Sequence, residues 1–159
     1  MTATIADSSD LAQFKQGIEF LRKGHAAKAL ECFRRAADLK QQNPVYRSFL
    51  GVSLVRAESK WAEAVDLCKT ALQMKRDEAQ LYLNLAEVYV SAGRRDLAVE
   101  VLNRGLRHCG ADARIKRMHG RVKNRRSPVL PFLERGHLLN RGLGKLRHQV
   151  LKGLLKSEN

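Results

Sequence analysis

At 159 residues the chain suits one domain, or one domain with an extension. Hydrophobic residues make up 44% and charged residues 29%, enough for a packed core and too apolar for global disorder. The net charge of +14 is uneven: residues 1–110 hold 17 Lys+Arg against 13 Asp+Glu, whereas residues 111–159 hold 13 against 3, so any anionic partner is a question for the last third.

The opening "MTATIADSSDLAQF" has neither a basic n-region nor an apolar h-region, so it reads as a flexible terminus over residues 1–9 and not as a secretory signal. No apolar run approaches the ~18 residues that cross a bilayer. Cys32, Cys68 and Cys109 lie far apart with no CxxC, the pattern of reduced thiols. These features point to a cytoplasmic protein. Only three prolines occur and period-two alternation is rare, which predicts an all-α chain.

In chain order, three stretches align on small residues. They are "FKQGIEFLRKGHAAKALECFRRA" (14–36), "FLGVSLVRAESKWAEAVDLCKTA" (49–71) and "LNLAEVYVSAGRRDLAVEVLNRG" (83–105). Gly17, Gly51 and Ala86 recur at spacings of 34 and 35, and Ala29, Ala64 and Ala98 at 35 and 34. Helices approach closely only where small side chains face each other, so each pair predicts one helical hairpin. The extra residue between Gly51 and Ala64 predicts a longer second turn. Gly24 and Gly93 fall where the chain must reverse. A fourth small residue, Gly120, falls on schedule 34 after Ala86. Around it Ile115, Met118 and Val122 form a narrow apolar stripe among basic residues, the pattern of a capping helix ending near Arg126. Ser127-Pro128 stops it. Beyond, "HLLNRGLGKLRHQVLKGLLK" (137–156) spaces Leu139, Leu143, Leu146, Val150 and Leu154 as one stripe of a basic amphipathic helix.

The repeat resembles the tetratricopeptide repeat family, whose pattern is W-x2-L-G-x2-Y followed by A-x3-F. Tyr82, Leu85, Ala86, Tyr89, Ala98 and Leu102 match it best; Gly17, Phe20, Ala29 and Phe33 carry the first repeat, and Leu50, Gly51, Leu54 and Ala64 the second. The resemblance implies an α-solenoid of stacked antiparallel hairpins in a right-handed superhelix. Repeats fall at about 10–43, 44–78 and 79–112, with a capping helix at 112–126, so the array spans 10–126 and a basic extension spans 127–159. That extension is similar to one on some bacterial proteins of the family.

The resemblance also implies that the first helix of each hairpin lines a concave groove. By alignment the groove holds Leu11, Phe14, Ile18, Leu21, Val45, Ser48, Val52, Val55, Gln80, Leu83, Glu87 and Val90. An open apolar groove is a large exposed patch, which soluble chains avoid unless it binds something. One subclass of the family clamps the C-terminal carboxylate of chaperones with Lys, Asn, Asn, Lys and Arg. The matching positions here are Phe14, Ile18, Phe49, Gln80 and Asn84, and none keeps the required residue, which argues against that mechanism.

Nothing in the sequence forms a catalytic constellation. His108, Cys109 and His119 fit no common zinc spacing, and no cofactor or metal is expected. The expected function is a non-enzymatic scaffold or adaptor that holds a peptide or helix of another protein in its groove. The alternative is a basic module docking on nucleic acid or an anionic membrane through residues 111–159, with Arg114, Arg117, Arg121, Arg125 and Arg126 as the candidate anion-binding residues. In the extension, Phe132, Leu139, Leu143, Leu146, Val150 and Leu154 form a candidate docking surface. The repeats, a second copy giving a homodimer, another protein or a membrane could receive it.

Overall fold

Residues 3–124 are described by a computed structural model, and among them the chain is helical with no strand. Seven helices follow in order: α1 (Ala3–Arg22), α2 (Ala26–Leu39), α3 (Pro44–Glu58), α4 (Trp61–Met74), α5 (Ala79–Ser91), α6 (Arg95–His108) and α7 (Ala113–Asn124). Two starts are chemically marked. Asn43 Oδ1 accepts hydrogen bonds from the backbone N–H of Val45 at 3.0 Å and Tyr46 at 3.2 Å, with Pro44 at the first helical position. Asp112 Oδ1 likewise accepts from the N–H of Arg114 at 2.7 Å and Ile115 at 3.3 Å, so it caps α7.

α1 starts at Ala3, so most of the stretch expected as a flexible terminus is helical. The turns after α1 and α5 use Gly24 and Gly93 at φ of 80° and 75°, where a side chain would be strained. The middle turn differs from expectation. It is the shortest of the three, holding only Ser59 and Lys60, and Ser59 adopts φ 54° in place of glycine. The extra residue is taken up by α3. Extending a helix adds a backbone hydrogen bond for each residue fixed, whereas a longer turn adds none.

α1 with α2, α3 with α4 and α5 with α6 form antiparallel hairpins, and each second helix packs on the first helix of the next hairpin. α3 also packs directly on α5, and Phe14 of α1 meets Tyr46 and Phe49 of α3, so the first helices adjoin one another. Ala29, Ala64, Ala86 and Ala98 are all fully buried. A Cβ at Gly17 would stand 2.8 Å from the Phe33 ring, and one at Gly51 2.8 Å from the Ala64 carbonyl oxygen. These are the close approaches that the small-residue period implied. Large side chains fill the space beside them. Phe33, Leu54, Leu81, Tyr82, Leu102 and Ile115 are buried to the last few per cent, each worth about 1.5–3 kcal/mol relative to exposure.

Gly120 departs from that logic. Apart from its own stretch of helix backbone, no heavy atom of the described residues lies within 4 Å of its would-be Cβ. The small residue that admits α7 is Gly105, on α6. A Cβ there would meet the Tyr82 ring at 2.9 Å and Ile115 Cδ1 at 3.1 Å. Ile115 fills that space completely, with Met118 and Val122 half-buried against the same core.

Candidate binding face

The first helices carry all the residues expected to line a groove, and burial separates them. Leu11 is 44% exposed, and Ile18, Leu21, Leu83, Glu87 and Val90 are half-buried. These remain accessible. Ser48, Val52 and Val55, expected in the groove, are buried. α3 is flanked by α2, α4 and α5, so little of its surface is left free, and Val52 and Val55 belong to the core.

Phe14 is a second correction. Its half-buried ring stacks on Tyr46 at 4.6 Å and meets Phe49 edge-on at 5.2 Å and Phe33 at 5.6 Å. Phe33 in turn stacks on Phe49 at 5.5 Å. Four rings from α1, α2 and α3 therefore join the first hairpin to the second, each pair adding about 0.5–1.5 kcal/mol beyond area burial. Phe14 holds helices together and is not a free contact for a ligand. Nearby, buried Asp10 accepts a hydrogen bond from the Tyr46 hydroxyl at 3.0 Å, and Lys40 Nζ stands 3.8 Å from the same oxygen.

A chain of directed hydrogen bonds crosses the face from α7 to α3. Arg114 donates to Gln80 Oε1 at 3.3 Å, and Gln80 Nε2 donates to Asn84 Oδ1 at 2.8 Å. Asn84 Nδ2 donates to Ser48 Oγ at 2.8 Å, and the Ser48 hydroxyl donates to the Val45 carbonyl at 2.8 Å. Asn84 and Ser48 are buried, where an unmet polar group costs about 1–3 kcal/mol, so each member needs the next. Beside this chain Arg56 Nε donates to Glu87 Oε1 at 2.9 Å, tying α3 to α5. By sequence, Ser48 and Gln80 read as groove-lining, and Asn84 only as a clamp position that departs from the chaperone-binding pattern. The available signal was a polar Asn84 inside the apolar run "LYLNLAEVY", which burial permits only with a partner.

The remaining candidates separate cleanly. His108 stacks on Tyr82 at 6.2 Å, and Cys109 Sγ sits 4.0 Å from the Arg76 carbonyl oxygen, so packing accounts for both. Burial pushes the Cys68 thiol up to about 12, and its Sγ lies 3.5 Å from the Ser48 carbonyl oxygen, between α4 and α3. The Asp112 carboxyl is held below its ordinary value, first by the Arg114 side chain and then by the backbone N–H groups it caps. Arg114, Arg117 and Arg121 are exposed, with Arg114 paired to Asp112 at 3.0 Å. Arg125, Arg126, Phe132, Leu139, Leu143, Leu146, Val150 and Leu154 lie outside the described residues.

Residues 55–122, from the end of α3 into α7, match the family described as Tetratricopeptide repeat. Over that stretch the chain carries tetratricopeptide repeats. A relative, the TPR repeat-containing thioredoxin TTL4 of Arabidopsis thaliana, is 34% identical over 98 residues, covering 61% of this chain. The chain spans 14% of that relative's length. Among solved structures, the yeast Sti1 TPR2B domain in complex with pHsp70 superposes with a TM-score of 0.61 at 17% identity, covering 75% of this chain and 99% of that one. The second TPR domain of human RPAP3, in complex with the HSP70 peptide SGPTIEEVD, gives 0.59 at 14% identity over 76% and 99%. At these identities the likeness establishes the tetratricopeptide-repeat fold. The chemistry of the face rests on this chain's own residues.

Proposed function

We propose that this tetratricopeptide-repeat array is a non-catalytic adaptor that holds a peptide or helix of another protein on its first-helix layer. The observation carrying the reading is the pairing of accessible apolar side chains with fixed polar ones on that layer. Leu83 and Val90 are half-buried on α5, on the same face as half-buried Gln80 and Glu87 and buried Asn84. The hydrogen bonds to Ser48, Arg56 and Arg114 hold those polar side chains in place before any ligand arrives. Pre-ordering lowers the entropy cost of binding, and apolar neighbours supply affinity. Peptide complexes of structurally similar domains, from yeast Sti1 and human RPAP3, agree with this use of the fold. The occupant differs in chemistry from an acidic chaperone tail, because Phe14, Ile18 and Phe49 place apolar groups where that mechanism needs Lys and Asn.

A displayed peptide library selected on the full chain tests the reading. Wild-type protein should enrich a shared motif with apolar anchors. A Leu83→Glu/Val90→Glu double variant, folded by circular dichroism, should not. Recovery of the same motif on both proteins, or no motif on the wild type, would refute the proposed face.

A further inference from the structure

α7 holds Arg114, Lys116, Arg117, Arg121 and Lys123, and no Asp or Glu. Its two sides are sharply divided. Ile115 is fully buried and Met118 and Val122 are half-buried against the core, while all five cations are exposed. Asp112, just before the helix, pairs with Arg114. Among the described residues no ion pair engages Lys116, Arg117, Arg121 or Lys123. α6, whose Gly105 lies against Ile115, adds exposed Arg104 and Arg107 at the same end.

This arrangement works against the helix itself. Arg117 and Arg121 are like charges one turn apart, and Arg114, Lys116 and Arg117 crowd the end where the backbone dipole favours anions. A helix that only covered the last hairpin would be better served by mixed charges. A polyanion laid along the outer face reverses the sign of both effects.

We propose that the outer face of α7 docks on the phosphate backbone of a nucleic-acid duplex, without reading its sequence. Five cations fall within the roughly 18 Å that twelve helical residues span, and Arg117 and Arg121 stand about 6 Å apart along the axis. A duplex offers a dense, regular row of charge, about one per 1.7 Å of its axis. An anionic membrane fits less well. A bilayer-docking helix needs a free apolar side, and that of α7 is already packed. Among the described residues, the exposed large apolar side chains Leu11, Leu39, Trp61 and Met74 lie elsewhere. A single strand fits less well too, because residues 111–124 contain no Phe, Tyr or Trp on which successive bases could stack.

Fluorescence anisotropy of the full chain with a labelled DNA duplex, across roughly 50 to 200 mM salt, tests the proposal. Affinity should fall linearly on a log–log plot and be alike for two unrelated sequences. Arg117→Gln/Arg121→Gln should weaken binding at every salt concentration and flatten the slope by about 1.8, the loss of two phosphate contacts. Arg117→Lys/Arg121→Lys should restore the slope. Both variants should keep the wild-type circular dichroism, since the side chains are exposed. Leu83→Glu/Val90→Glu should bind duplex normally, which separates this face from the peptide face. An unchanged slope in the Gln variant, or no duplex binding by the wild type, overturns the proposal. So does a Gln variant that loses phosphatidylserine vesicles while keeping the duplex.

Discussion

Replacing Gly51 by alanine sets two effects of known size against each other. Inside a helix alanine is favoured over glycine by about 1 kcal/mol. At Gly51 the new methyl would stand 2.8 Å from the Ala64 carbonyl oxygen and 2.9 Å from Cys68 Sγ. The first obstacle is α4 backbone, which cannot rotate away as a side-chain tip can. The second is a fully buried thiol held near the Ser48 carbonyl. α3 and α4 must therefore separate by several tenths of an ångström, and overpacking of that kind costs about 1–3 kcal/mol. The steric cost wins, and Gly51→Ala should lose up to about 2 kcal/mol net. Gly120→Ala is the internal control. It makes the same chemical change in a helix, with no heavy atom of the described residues beyond its own stretch of backbone within 4 Å. It should gain up to about 1 kcal/mol. Urea unfolding followed by circular dichroism measures both, read as midpoint shifts at constant slope. A Gly51→Ala protein more stable than wild type, or a Gly120→Ala protein less stable than Gly51→Ala, would refute the packing argument.

Ala98 is fully buried in the third hairpin, so Ala98→Leu should cost about 1–3 kcal/mol in the same urea assay. Asp112 carries a depressed carboxyl value, so its contribution is present above the ordinary carboxylate range and is lost as pH falls through the depressed value. Thermal melts below about pH 4 should therefore show acid-sensitive loss that Asp112→Asn, which can still cap α7, reduces. Cys68, its thiol pushed up to about 12 by burial, should resist alkylation in the native protein and react only on unfolding, as peptide mapping after iodoacetamide would show. Labelling of Cys68 at the rate of a free thiol under native conditions would contradict its placement.

The period of small residues was enough to specify hairpins and their stacking. Gly17, Gly51, Ala29, Ala64 and Ala98 occupy close approaches because a steric limit at a helix crossing depends on residue size, which is written in the sequence. Gly24 and Gly93 marked their turns for a similarly local reason, a positive φ. Exposure was decided elsewhere. Ser48, Val52 and Val55 sit in the same helical register as accessible Leu83 and Val90, yet α3 is flanked by three helices and its register face is closed. Phe14 has the spacing of a groove residue, but three rings more than 30 positions or nearly 20 positions away claim it. Gly120 keeps the period without its purpose, since no second helix follows α7 among the described residues to press against it. Size and backbone conformation are properties of single positions, so a sequence states them directly. Burial is a property of neighbours brought together by stacking, so only the tertiary structure could say which face of each helix was left for a partner.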